Sequence, residues 1–231
     1  MATFTDIANE IIAETQLDDI ATVVYTYLYD SVKAICGLKP DWPFLEMNAW
    51  FQPDVNIGAY LMSNFASPVR SVQQFKILDN GHDSIGGAVY AGTSKWSYPD
   101  YVDYPDFVRF YLNPYGGNLV VQTGTPVIYT VGPVEATGPS VEAIQFRPYT
   151  NKAYYMSLTY FAEHPTGAGV TILIPNTELV KAAVKMRIYS DRGNTAGVEA
   201  QTVAYQSGLR DLHTRYGGIK TRGVTRVKRY F

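Results

Sequence analysis

Asp100, Asp103 and Asp106 recur every three residues in YPDYVDYPDF, each followed directly by an aromatic ring. Paired carboxylates are the working groups of glycoside hydrolysis, one as acid and the other as base or nucleophile, and tyrosines stack on sugars. The same string also reads as a solvated acidic loop with aromatic anchors, and that simpler reading is preferred. The three histidines, His82, His164 and His213, fall in separate parts of the chain: a DNGHD turn, a strand end before a proline, and a helix. No HExxH, no CxxC and no pair of histidines at ligand spacing occurs, so no metal site is expected. GxSxG and GxxxxGK[ST] are absent, and the Gly86–Gly87, Gly116–Gly117 and Gly217–Gly218 pairs sit at turns or helix ends. The expectation is a protein without catalytic residues, cofactor or enzyme activity.

The strongest local signal is electrostatic. Residues 219–231 read IKTRGVTRVKRYF and hold Lys220, Arg222, Arg226, Lys228 and Arg229 with no acid, ending in Tyr230 and Phe231. The chain has 19 Lys and Arg against 21 Asp and Glu; with these five set apart, residues 1–218 carry about −7 and the tail +5. Such asymmetry suits a charged end that reaches for a partner, either nucleic acid or an acidic protein surface.

The elements that position these groups follow from periodicity. TFTDIANEIIAETQL places Phe4, Ile7, Ala8, Ile11 and Ile12 on one helical face, with Thr3 or Thr5 as its cap. DDIATVVYTYLYDSVKAICG predicts a second helix, with Asp18 and Asp19 at its start and Gly37 as its left-handed stop. Its stripe runs Ile20, Val23, Val24, Tyr27, Leu28, Ser31, Val32 and Ile35. Pro40 and Pro43 then break the helix and set Trp42, Phe44 and Leu45 against the pair.

From about 55 to 175 the texture is β-rich: SPVRSVQQFKIL, DFVRFYL, NLVVQ, PVIYTV, EAIQFRP, AYYMSLTYFA and VTILI, separated by DNGHD, NPYGGN and VEATGPS. NTELVKAAVKMRIYSDRGN predicts a further helix, capped by Asn176 or Thr177 and stopped at Gly193. Its stripe is Leu179, Val180, Ala183, Val184 and Met186. VEAQTVAYQSGLRDLHTRYGG predicts the last helix, with Tyr205, Leu209, Leu212 and Tyr216 on one side.

The expected fold is α+β. A helical domain over 1–54 and 176–218 carries an antiparallel β-sandwich or barrel-like insert over 55–175, and 219–231 forms an extended basic arm. With 46% hydrophobic residues the chain is no disordered segment. Charged residues are only 17%, and there are 19 tyrosines, a composition that serves either a tyrosine-rich sheet core or surface destined for an interface. Cys36, the single cysteine, ends a helical pattern as a small hydrophobe and permits no intrachain disulfide. The first residues, MATFTDIANEII, lack the basic region of a signal peptide, and no apolar run reaches the ~18 residues of a membrane span.

This order of elements resembles the head-to-tail adaptor, or connector, proteins of short-tailed bacteriophages. Trp42-Pro43-Phe44-Leu45 matches the aromatic close of the family's second helix. Tyr60-Leu61 followed by Pro68-Val69-Arg70-Ser71-Val72 is similar to its turn into the first strand, with Leu61-Met62 where a leucine-proline pair is usual. Phe146-Arg147-Pro148 with Tyr154-Tyr155-Met156 resembles its β-hairpin. Ile174-Pro175, then Leu179 and Ala182-Ala183, resembles its approach to the third helix.

The resemblance implies a structural virion protein, made in the host cytoplasm and sited in the neck between portal and tail. Its subunits form a ring, typically of about twelve copies, that extends the DNA channel and gives tail nozzle, hub or fibre proteins a platform. Genomic DNA passes through without specific binding. The C-terminal arm, here Lys220, Arg222, Arg226, Lys228, Arg229, Tyr230 and Phe231, docks on the portal protein. Two other readings stand beside it: a tail protein that degrades or binds cell-wall polysaccharide, with Asp100, Asp103 and Asp106 as the acids, and a tail that clamps DNA.

Overall fold

The computed structural model describes residues 2–16, 18–39, 41–79, 95–112, 122–134 and 141–216. The chain is mixed α and β and divides into two compact units. One is built from residues 2–46 and 163–216, the other from 47–162. Among the described residues there are five α-helices, and the long β-ladders are antiparallel.

The first unit holds helices α1 (Phe4–Thr15), α2 (Ala21–Gly37), α4 (Thr177–Asp191) and α5 (Thr195–Tyr216). Helix α1 starts as its sequence predicts. The Thr3 hydroxyl accepts from the Asp6 N–H and the Asp6 carboxylate accepts from the Thr3 N–H, a reciprocal capping box. Phe4, Ile7, Ala8 and Ile11 are buried on its inner face. Each fully buried Phe or Ile contributes about 1.5–3 kcal/mol.

Helix α2 departs from expectation at both ends. Asp18 and Asp19 begin a 3₁₀ turn, Asp18–Ile20, and the N-cap is Ile20 without a side-chain bond. Asp19 instead takes the guanidinium of Arg192 at 2.6 and 2.7 Å. Gly37 stays inside the helix, and Leu38 ends it with right-handed backbone (φ −62°), so no left-handed stop is used.

The Trp-Pro-Phe-Leu segment seals this unit. Trp42 and Leu45 are fully buried. The Trp42 indole N–H donates to the Ile35 carbonyl (3.2 Å), and its ring lies 5.3 Å from the His213 ring of α5. VTILI (170–174), expected as a strand, is instead a cover for the α1 N-terminus. Phe4 N–H donates to the Val170 carbonyl and Ile172 N–H to the Ala2 carbonyl. Its ladder pairing shrinks to one bridge, Thr3 with Thr171, because its partner is two residues of chain before a helix rather than another strand.

The second unit carries β1 (Glu46–Phe51), β2 (Ala59–Leu61), β3 (Val69–Asp79), β4 (Lys95–Ser97), β5 (Asp100–Tyr101), helix α3 (Tyr104–Phe107), β6 (Thr123–Gly124), β7 (Ile128–Val134), β8 (Val141–Arg147), β9 (Tyr149–Thr150) and β10 (Tyr155–Ala162). One sheet has the order β1-β10-β3-β4, a second β2-β8-β7-β5, and β6 pairs with β9. The two-residue pairings β5–β7 and β6–β9 run parallel. Neither four-stranded sheet closes on itself among the described residues, so the barrel-like expectation is set aside. Both sheets feed one apolar cluster: Val72, Phe75 and Ile77 of β3 and Met156 and Leu158 of β10 meet Tyr129, Val131, Ile144 and Phe146 of β7 and β8.

DFVRFYL, expected as a strand, is helical. Pro105 opens α3 behind Asp103, and a π-helical turn follows over Val108–Leu112. Proline's locked φ and missing N–H suit the first turn of a helix and spoil a strand. Phe107 is the buried anchor of this turn. Beside it, Gly132 of β7 lies flush under the Tyr104 ring, where any Cβ would overlap the ring carbons, and the Tyr104 hydroxyl donates to the Pro133 carbonyl (2.9 Å).

Candidate functional site

The seven tail residues singled out by charge, Lys220, Arg222, Arg226, Lys228, Arg229, Tyr230 and Phe231, lie outside the described residues. What is described is the helix that precedes them in the sequence, α5. It is entered through a tight corner: Gly193 takes positive φ (65°) and Asn194 accepts from the Gly197 N–H (2.9 Å). Opposite α4, Gly208 brings the helices close, since a Cβ there would stand 3.0 Å from the Leu179 Cβ.

Over its 22 residues α5 fully buries only Leu212. Tyr205, Leu209 and Tyr216, expected on its inner face with Leu212, are half-buried. The opposite side is exposed and carries Ala196, Ala200, Val203 and Ser207 at i, i+4, i+7 and i+11, with Val203 69% exposed. The helix axis is about 33 Å long, and this small, uncharged outer stripe is left exposed.

Beneath α5, the base of the unit is clamped by charge. Lys181 on α4 is only 8% exposed and reaches Glu10 (2.7 Å), Glu178 (2.7 Å) and Glu14 (3.4 Å), while Lys185 pairs with Glu14. Burial alone would depress the Lys181 ammonium, but the bonds to Glu10 and Glu178 and the charges of Glu178 and Glu14 outweigh it and hold the group above its ordinary value. Lysine 185 in turn holds the Glu14 carboxyl below its ordinary range. Two acids of α1 are thereby tied to α4 across the helix seam. A shallow groove of about 470 Å³ runs along α4 and α5 beside this clamp, lined among others by Lys181, Lys185, Gln201, Ser207 and Asp211. Sequence reading missed Lys181. The signal was present, a lysine inside an apolar stripe three residues after Glu178, which marks a buried cation needing carboxylates.

His164, on the same unit, is a latch. The Leu173 N–H donates to Nε2 (2.8 Å), so the ring proton sits on Nδ1, which donates to the Pro165 carbonyl (2.7 Å). The ring meets Phe4 edge-on at 5.9 Å, and burial pushes its pKa down.

In the other unit Asp100 lies on β5, Asp103 before α3 and Asp106 in its first turn, and all three are exposed. None is enclosed by apolar walls, the setting that makes a carboxyl a general acid. Among the described residues no group of three or more His, Cys, Asp or Glu is placed to hold a metal ion, and His213 lies on α5, far along the chain from the half-buried His164.

No family model matches this chain, and no curated protein matches it. Among the described residues, no helix is long and apolar enough to cross a membrane.

Proposed function

We propose that this chain is a structural subunit of a bacteriophage neck: a ring-forming adaptor that docks under the portal, extends the DNA channel and carries tail components. One observation carries the reading. Helix α5 exposes a small, uncharged stripe over Ala196–Ser207 and precedes, in the sequence, a tail of five cations. In a ring the stripe meets the neighbouring copy and the tail reaches the portal. An exposed ion pair is worth only about 0–1 kcal/mol, but five cations per subunit repeated around a ring act by avidity.

In this reading the two sheets of the second unit are the faces of a sandwich that receives nozzle, hub or fibre proteins, and 219–231 is an extended docking arm. The acidic body, about −7 outside the tail, lets DNA slide past without gripping it. Hydrolysis by Asp100, Asp103 and Asp106 draws no support from three exposed carboxylates. Gold-labelled antibody against the chain, imaged on virions, tests the proposal: label is expected at the one capsid vertex that bears the tail. Label spread over the capsid, or virions that carry none, would overturn it.

A further inference from the structure

The outer face of sheet β1-β10-β3-β4 carries a second feature. Strand alternation turns Asn48 and Trp50 of β1, Thr159 of β10, and Gln74 and Lys76 of β3 away from the shared apolar cluster; Trp96, paired with Leu78, joins them on β4. Across this face the Trp50 and Trp96 rings stand 5.7 Å apart at 54°. The Lys76 ammonium faces both rings from one side, 4.6 Å from the Trp96 centroid and 5.5 Å from that of Trp50. Trp50 nonetheless leaves 52% of its surface exposed, an unusual expense for a tryptophan that has sheet neighbours to cover it.

From this we infer a saccharide-binding platform for a sugar that bears a carboxylate. The C–H face of a pyranose ring is weakly positive and stacks on an electron-rich indole, which Trp50 presents to solvent. Hydroxyls then need neutral donors and acceptors beside the ring. Asn48 and Thr159 supply them as a pre-set pair, with the Thr159 hydroxyl bonded to Asn48 Oδ1 (2.7 Å) and the Asn48 amide N–H groups left to face outward, and exposed Gln74 adds an amide. Lys76 has no carboxylate partner among the described residues; its charge is met by ring faces alone. A uronate carboxyl would complete that pairing, and the two indole faces hold the ammonium where it meets the sugar.

Single-stranded nucleic acid also uses aromatic stacks with cations, but it needs a track of several positive charges along its backbone. Here Lys76 is the only charged group of the six, so the sugar is the better fit.

The test uses the full chain, titrated with trigalacturonate, cellotriose and oligothymidylate while tryptophan emission and calorimetric heat are followed. Trigalacturonate is expected to bind saturably and more tightly than cellotriose. Trp50→Ala should weaken it by about tenfold or more, the loss of one stacking surface. Lys76→Met should erase the preference for trigalacturonate over cellotriose while leaving some binding of both. Should Trp50→Ala fail to fold, the Lys76→Met ratio decides alone. No binding of either sugar, equal affinity for both, unchanged affinity in Trp50→Ala, or tighter binding of oligothymidylate would each overturn the inference. Because the platform is read out on the isolated chain, its failure would leave the neck assignment untouched, and the reverse also holds.

Discussion

His164 ties a sequence position to a measurable pH response. Its Nε2 accepts from the Leu173 N–H, and a protonated ring has no acceptor to offer. Burial lowers the folded pKa below 6.5, so the unfolded chain binds the proton more readily. The stabilisation is therefore complete above about pH 6.5 and is lost as pH falls through the folded value. Glu14, held low by Lys185, acts in the same sense but only below its ordinary 4.5, which separates the two windows. Thermal unfolding between pH 7.5 and 5.5 should show wild type losing stability over this interval and His164→Gln losing little. At pH 7.5 the variant should be weaker by about 1–2 kcal/mol if its amide leaves the Leu173 N–H unsatisfied. Equal acid sensitivity in the two proteins would sink the latch. Nothing in EHP at 163–165 announces this role, because the partner N–H lies nine residues on and is brought back only by the fold. Local capping, by contrast, was legible: Thr3 and Asn176 act within their own first turns.

Helices were easier to read than strands. The stripes of α1 and α2 are dense enough that burial follows them nearly position by position, apart from half-buried Ile12, Val23 at 39% exposure, and Tyr27, whose hydroxyl bonds Asp191. The strands β3, β7, β8 and β10 were visible as β-branched and aromatic runs. EMNAWF was not read as β1, although Met47, Ala49 and Phe51 alternate inward; it follows a Pro-rich break and is short, and its outward positions include Trp50, which blurs the alternation. DFVRFYL misled for the opposite reason, since β-prone aromatics outvoted the Pro105 start signal. Helix α5 shows the limit of periodicity. Its predicted stripe is present, yet of its members only Leu212 is fully buried, which the pattern alone does not reveal. That exposed side makes a direct prediction. Val203→Glu, at a 69% exposed site, should change folding stability by no more than about 0.5 kcal/mol. In a ring it would set a like charge at every subunit contact, and sedimentation should report loss of the oligomer. An oligomer unchanged by Val203→Glu would remove α5 from the interface.

Charge divides the whole chain more sharply than hydrophobicity does. About −7 resides in 1–218 and +5 in the last thirteen residues, and that separation suits a body that repels DNA and an end that seeks an acidic protein. The described cores draw on residues 4–212 alone, so deleting 219–231 should leave the far-UV spectrum and the denaturant midpoint unchanged. Binding to purified portal rings should instead fall to background. For the full chain it should weaken as salt is raised from 50 to 300 mM if the contact is made by the tail's charges, since salt screens charge over about a Debye length. A DNA clamp makes a different forecast for the same deletion. Affinity for duplex DNA would vary with log salt at a slope no steeper than about −4.5, from ~0.9 per phosphate met by five cations, and would vanish with the tail. Comparing the two ligands on the two proteins separates these mechanisms. If the truncated chain captures portal rings as well as the full chain does, the cationic end is not the docking element, and the contact must be sought on the helical unit.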